Sequence, residues 1–153
     1  MEIERKFLVG EIPYELNRLS FHEIEQAYLN IDPVVRVRKQ DEEFYMTYKG
    51  RGMMEREEYN LPLNKEAYLH LKEKADGHVI TKKRYLIPIE NNLTIELDVF
   101  EGELSPLIIA EVEFSSKEEA ESFTPPAWFK RDVTFDKEFH NARLSRLGLP
   151  PLP

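Results

Sequence analysis

Alternation of apolar and charged residues recurs in segment after segment of this chain. In Glu2-Ile3-Glu4-Arg5-Lys6-Phe7, an extended backbone puts Glu2, Glu4 and Lys6 on one face and Ile3, Arg5 and Phe7 on the other. The same period places Arg36 and Arg38 opposite Val35 and Val37, Glu96 and Asp98 opposite Ile95, Leu97 and Val99, and Glu111 and Glu113 opposite Ala110, Val112 and Phe114. Strands are predicted over 2–9, 21–29, 34–39, 44–49, 53–59, 78–87, 93–100 and 107–114, with a last short extended segment over 131–135. The connections are of hairpin length, which predicts antiparallel neighbours.

Helices are fewer. Pro13 with Leu16 and Leu19 predicts a short helix, and Asn64 caps one whose buried stripe is Ala67, Tyr68, Leu71 and Ala75, with Gly77 as its C′ residue. Ser116 and Glu119 form a capping box for a helix that Pro125-Pro126 ends. Asp136 is expected to cap a closing helix over 136–148, stopped by Gly148. A proline-rich tail follows at 150–153.

Composition narrows the functional classes. At 153 residues one domain over 1–153 is expected, large enough for its own core, and the absence of cysteine excludes disulfides and thiolate metal sites. No apolar run is long enough to span a membrane, and the charged N-terminal stretch does not read as a signal peptide, so a cytoplasmic location without membrane contact is expected. Lys and Arg number 21 against 29 Asp and Glu, a net charge of −8 that repels a nucleic-acid backbone. No P-loop and no H-E-x-x-H motif is present, and the four histidines and Trp128 read as structural or exposed.

One face per strand collects seven bases, Lys6, Arg36, Arg38, Lys49, Arg56, Lys82 and Arg84, and seven acids, Glu2, Glu4, Glu58, Glu96, Asp98, Glu111 and Glu113. A solvated outer face would alternate in the same way, but here the signs are segregated, bases in the middle strands and acids in the first and last two. The opposite faces are apolar enough to be covered by helices. This predicts an α+β protein: a closed antiparallel eight-stranded β-barrel with a charged interior, helices packed outside and a C-terminal helix against it. Charges so enclosed must pair or meet a ligand. Guanidinium and ammonium groups suit phosphate oxygens, and carboxylates two apart on a strand suit a hard divalent ion such as Mg²⁺ or Mn²⁺.

These motifs resemble the CYTH superfamily, the triphosphate tunnel metalloenzymes. The resemblance rests on Glu2-Ile3-Glu4-Arg5-Lys6, an E-x-E-x-K signature, followed in order by R-x-R (Arg36, Arg38), Lys49, R-x-E (Arg56, Glu58), K-x-R (Lys82, Arg84), E-x-D (Glu96, Asp98) and E-x-E (Glu111, Glu113). It implies a triphosphate bound by Lys6, Arg36, Arg38, Lys49, Arg56, Lys82 and Arg84. It further implies one or two Mg²⁺ or Mn²⁺ ions on Glu2, Glu4, Glu96, Asp98, Glu111 and Glu113, with Glu2, Glu4, Lys6, Arg38 and Lys82 carrying the chemistry. Hydrolysis of inorganic triphosphate to pyrophosphate and phosphate, by a monomer or homodimer without nucleic-acid partners, is the activity expected. Nucleoside or thiamine triphosphatase, class IV-type adenylyl cyclase and a non-catalytic polyphosphate-binding module are the alternatives.

Overall fold

A computed structural model describes residues 1–152, so Pro153 at the end of the proline-rich tail lies outside the described residues. Ten strands and three α-helices follow one another: β1 (Glu2–Val9), β2 (Phe21–Ile31), β3 (Val34–Gln40), β4 (Glu43–Lys49), β5 (Glu55–Arg56), β6 (Glu58–Leu63), α1 (Lys65–Glu73), β7 (Asp76–Pro88), β8 (Thr94–Phe100), β9 (Ile108–Glu113), α2 (Lys117–Ser122), β10 (Phe129–Asp132) and α3 (Asn141–Leu147). All pairings are antiparallel, in the order β10-β1-β9-β8-β7-β2-β3-β4-β6, with β5 on β1.

The expected eight-stranded antiparallel barrel is found, nearly closed, and ten strands are counted in it for two reasons. The strand expected over 53–59 is interrupted at Glu57 into β5, which pairs with β1, and β6, which pairs with β4. Read as one broken strand, this segment joins the two ends of the sheet and nearly closes an eight-membered circumference. β10 is the last short extended segment expected over 131–135, found at Phe129–Asp132 and laid on the part of β1 that β5 leaves uncovered.

The barrel keeps its apolar faces outward. Phe7, Ile95, Leu97, Val112 and Phe114 pack with Ala120 of α2 and Phe129, and Ala27 and Val37 pack under Tyr68 of α1. Burying these faces is the main driving force for wrapping helices around the wall. The inward parity is polar near the start of β1 and apolar further along: Leu8, Tyr28, Ile80, Phe100 and Ile109 share the face of the charged residues. They fill part of the interior together with Phe139 and Leu144 of the C-terminal segment.

Caps explain where the helices start. The Asn64 side chain accepts from the Ala67 amide at 2.7 Å, and Ser116 accepts from Glu119 at 3.1 Å while the Glu119 carboxylate reaches back to the Ser115 amide, one residue before the expected partner. The closing helix differs from the expectation over 136–148. Asp136 caps only a 3₁₀ turn, Lys137–Phe139; His140 breaks it with extended backbone, and α3 starts at Asn141. The expected helix behind Pro13 is likewise a single 3₁₀ turn, Leu16–Arg18. Gly77 does not end α1, which stops before it; it lies in β7 at φ 72°, where a Cβ would collide with the Ser145 carbonyl oxygen, so glycine there admits α3 against the wall.

Candidate active site

The barrel encloses a cavity of about 1050 Å³. Strand parity puts the expected side chains there: Glu2, Glu4 and Lys6 from β1, Arg36 and Arg38 from β3, Lys49 from β4, Arg56 from β5, Glu58 from β6, Arg84 from β7, Glu96 from β8, and Glu111 and Glu113 from β9 all line it. Lys82 and Asp98 do not. Both are fully buried, their side chains 2.7 Å apart, and they lie behind the cavity lining. An ion held in the cavity therefore has no direct route to the Asp98 oxygens in this arrangement. Asp98 instead grips Arg84, accepting from Nε at 2.7 Å and Nη2 at 2.9 Å, a bidentate pair that fixes the guanidinium plane.

Two ionic networks divide the lining. In the first, Glu111 accepts from Arg84 at 2.9 Å and faces the Lys6 ammonium at 3.1 Å, with Glu4 3.6 Å from the same ammonium and Glu96 3.3 Å from Arg84. In the second, Lys49 bridges Glu2 at 2.9 Å and Glu58 at 3.2 Å, and Arg56 lies 3.8 Å from Glu2. Arg36 and Arg38 belong to neither. Each is only 6% exposed, yet among the described residues no carboxylate forms an ion pair with either. Arg36 donates to Thr47 at the long distance of 3.3 Å, and its Nε, like that of Arg56, is buried without a hydrogen-bond partner. Arg38 is aimed by Gln26, whose Oε1 accepts from Nε at 2.8 Å and Nη2 at 2.6 Å. Burial, and then the like charges of Arg36 and Arg84, push the Arg38 guanidinium below its ordinary value. The interior thus holds cationic charge without a counter-ion.

The acids are equally unbalanced. Burial works against ionisation of Glu111, but Lys6 and Arg84 hold its carboxyl well below the usual range. Glu4 goes the other way, raised by burial and by Glu111, and so does Glu96, where burial outweighs Arg84. Glu113, at the exposed rim, is raised to about 7 by partial burial and then by Glu2, Glu4, Glu58 and Glu96. Its folded-state value lies above the unfolded one, so the stability it contributes is present below about 4.5 and is lost as pH rises through 7. Glu113→Gln is accordingly expected to raise the melting temperature of the metal-free protein at pH 8 by about 2 °C, since solvent screens much of the repulsion at this exposed side chain. The gain should vanish at pH 4; a gain independent of pH would remove carboxylate repulsion as its cause.

Several lining or supporting residues lie outside the charged motifs of the sequence. Gln26, Thr47 and Asn141 are buried polar groups that hold the bases: Thr47 accepts from Arg36 and donates to Asn60 at 2.6 Å, and Asn141 accepts from Gln26 and Lys82. Gln26 faces Arg38 and Thr47 faces Arg36 on β3, and Thr47 shares the parity of Lys49 on its own strand; no local pattern marks Asn141. His140 also lines the cavity, and burial, followed by Lys6, pushes its imidazole down to about 4.

Donor chemistry at the cavity suits a divalent cation, because Glu4, Glu96 and Glu113 are oxygen donors whose charge the protein leaves under-compensated. Among the described residues no three acidic or histidine side chains already converge to a metal-holding group.

Known proteins match the chain closely. It is 39% identical to the inorganic triphosphatase of Nitrosomonas europaea over 97% of its own length and 99% of that protein's. It is 35% identical to the inorganic triphosphatase of Acetivibrio thermocellus, covering 94% and 92% of the two chains. A crystal structure of the inorganic triphosphatase NE1496 superposes with a TM-score of 0.70 at 37% identity, over 95% of this chain and 94% of the other. The model of the CYTH domain matches residues 1–145, the span that carries every lining residue, and the chain belongs to the CYTH family.

Proposed function

We propose that this protein hydrolyses inorganic triphosphate to pyrophosphate and phosphate inside its barrel. The observation that carries this reading is the pair Arg36 and Arg38, two buried guanidiniums without carboxylate partners. Unpaired buried charge costs several kcal/mol per ion by order of magnitude, and a polyanion with three phosphoryl groups offers oxygens enough to relieve both. The name shared by the two relatives supports the same substrate.

In this reading Lys6, Arg36, Arg38, Lys49, Arg56 and Arg84 bind phosphoryl oxygens and hold the chain in line for attack. Arg38 and Lys6 gain most as charge develops on the transferred group. Asp98 and Lys82, behind the wall, aim and balance Arg84. Glu4, its carboxyl raised by burial and by Glu111, takes the proton of the attacking water. Glu2, Glu4, Glu96, Glu111 and Glu113 are the residues that would hold Mg²⁺ or Mn²⁺, with Glu4, Glu96 and Glu113 least committed to cations of the protein itself. Such an ion, when bound, neutralises phosphate oxygens and activates water. The enzyme acts in the cytoplasm on a small molecule, as a monomer or homodimer. No helix among the described residues is long and apolar enough to cross a membrane.

Cavity size favours a second reading. At about 1050 Å³ it stands at the upper end of ordinary ligand sites and leaves room for a nucleoside or thiamine beside the phosphates. Phosphate release from triphosphate, ATP, thiamine triphosphate and pyrophosphate, each with Mg²⁺, Mn²⁺ or chelator, separates the two. Faster turnover of triphosphate than of ATP or thiamine triphosphate is expected. Equal or faster turnover of ATP or thiamine triphosphate would overturn the assignment, and binding without turnover would leave a polyphosphate-binding module.

A further inference from the structure

The side chain of Asn141, the first residue of α3, is buried against the barrel. Its Oδ1 accepts from Gln26 Nε2 at 3.1 Å and from Lys82 Nζ at 3.0 Å. Gln26 is fully buried on β2 and presents its own Oε1 to both Nε and Nη2 of Arg38. An amide can lie either way round, and only one orientation serves Arg38: the carbonyl toward the guanidinium, the NH₂ away from it. The acceptor on the far side is what makes that orientation favourable, since a buried NH₂ without a partner costs about 1–3 kcal/mol. Among the hydrogen bonds of the described residues, Asn141 is the only acceptor for that NH₂. It comes from outside the barrel strands, on a helix that packs against β2 and β7.

We infer that Asn141 is a positioning residue for the Arg38 guanidinium, acting through Gln26, so that seating of α3 on the wall sets the aim of the anion-binding fork. Its effect on rate rests on the reading of Arg38 as a phosphate-binding group; its effect on the geometry of Arg38 does not. Lys82 donates to the same oxygen and keeps Asn141 itself from turning over, because an Nδ2 in that place would set one donor against another.

Three variants test this. Asn141→Ala removes the acceptor, and Asn141→Asp keeps an oxygen for both donors. Ser145→Ala alters another buried position of α3, whose hydroxyl bonds only the Ala142 carbonyl at 2.6 Å, and leaves the relay untouched. The first readout is the Arg38 Nε–H resonance of ligand-free, ¹⁵N-labelled protein. It is expected to shift and to exchange faster with solvent in Asn141→Ala, and to stay near its wild-type position in Asn141→Asp and Ser145→Ala. The second is steady-state kinetics on triphosphate with Mg²⁺. Asn141→Ala is expected to lower kcat roughly 10–10²-fold with a smaller change in KM, the size of effect a misaimed group produces, and Asn141→Asp to recover most of it. Should Asn141→Ala fail to fold, Asn141→Ser, whose oxygen is too short to reach either donor, takes its place. An unmoved Arg38 resonance in Asn141→Ala, or an equal disturbance in Ser145→Ala, would overturn the inference. A resonance that moves as expected in a protein that leaves triphosphate intact supports the positioning role and overturns the proposed function instead.

Discussion

Arg38→Ala is expected to lower kcat on triphosphate roughly 10²–10³-fold, the range seen when one preorganised donor to a developing oxyanion is lost. Arg38 is preorganised in a specific sense. Gln26 holds two of its donor nitrogens in one plane, no carboxylate shares its charge, and the remaining edge faces Tyr45 at the long distance of 3.4 Å and the cavity. Its attraction for phosphoryl oxygens is therefore not already satisfied within the protein. The loss should fall mainly on kcat, because charge on the transferred group is greatest in the transition state. Undiminished turnover of every triphosphate by Arg38→Ala would take Arg38 out of the site.

Removal of divalent metal is expected to abolish turnover, with a thermodynamic signature that can be read without catalysis. Mg²⁺ or Mn²⁺ together with triphosphate should stabilise the fold by about 2.7 kcal/mol at a hundredfold excess over Kd. For a chain of this size that is a rise in melting temperature of roughly 5–11 °C. The carboxylates should not contribute alike. Glu113 at the rim repels its neighbours, so Glu113→Gln loses part of the metal-dependent shift without harming the metal-free fold. Glu111 is an ion-pair partner of both Lys6 and Arg84, and Glu111→Gln leaves two buried cations under-compensated and lowers the melting temperature of the metal-free protein as well. Their spacing alone makes Glu111 and Glu113 equivalent members of one acidic pair; the cross-strand neighbours distinguish them. Full activity with excess chelator, or identical metal responses in wild type and Glu113→Gln, would refute the metal reading of this face.

Period-two alternation carried most of the architecture because each strand has one face for the helices and one for the lumen, and a slip by one residue would exchange them. Alternation puts Glu2, Glu4, Lys6, Arg36, Arg38 and Lys49 on one face of their strands, and the segregation of signs together with the apolar opposite faces turns that face inward. What alternation does not encode is depth. Lys82 and Asp98 have the right parity but meet the packed interior, alongside Phe100 on the next strand, and disappear behind Arg84. Parity also says nothing of which inward residues are polar supports: Gln26 and Thr47 are uncharged, and a lone amide or hydroxyl in a strand has many ordinary explanations. Asn141 lies beyond a local reading altogether, since its role follows from where α3 docks. The break at His140 had no signal as strong as the caps around it, so the closing segment read as one helix.

The joint between β1 and β5 has a mechanical consequence. Two residue pairs, Glu2 with Arg56 and Ile3 with Glu55, and one further bond from the Glu4 amide to the Met54 carbonyl at 2.9 Å hold it, against seven pairs between β3 and β4. A hoop parts at its weakest weld, and here the weld is reinforced from within by Lys49 of β4, which ties Glu2 on β1 to Glu58 on β6. The contents of the lumen thereby become part of the hoop's tensile strength. A polyanion bound to Lys49 and Arg56 would load the same fastening that keeps the circumference shut, and the hold at this joint would then depend on what occupies the interior as much as on the backbone.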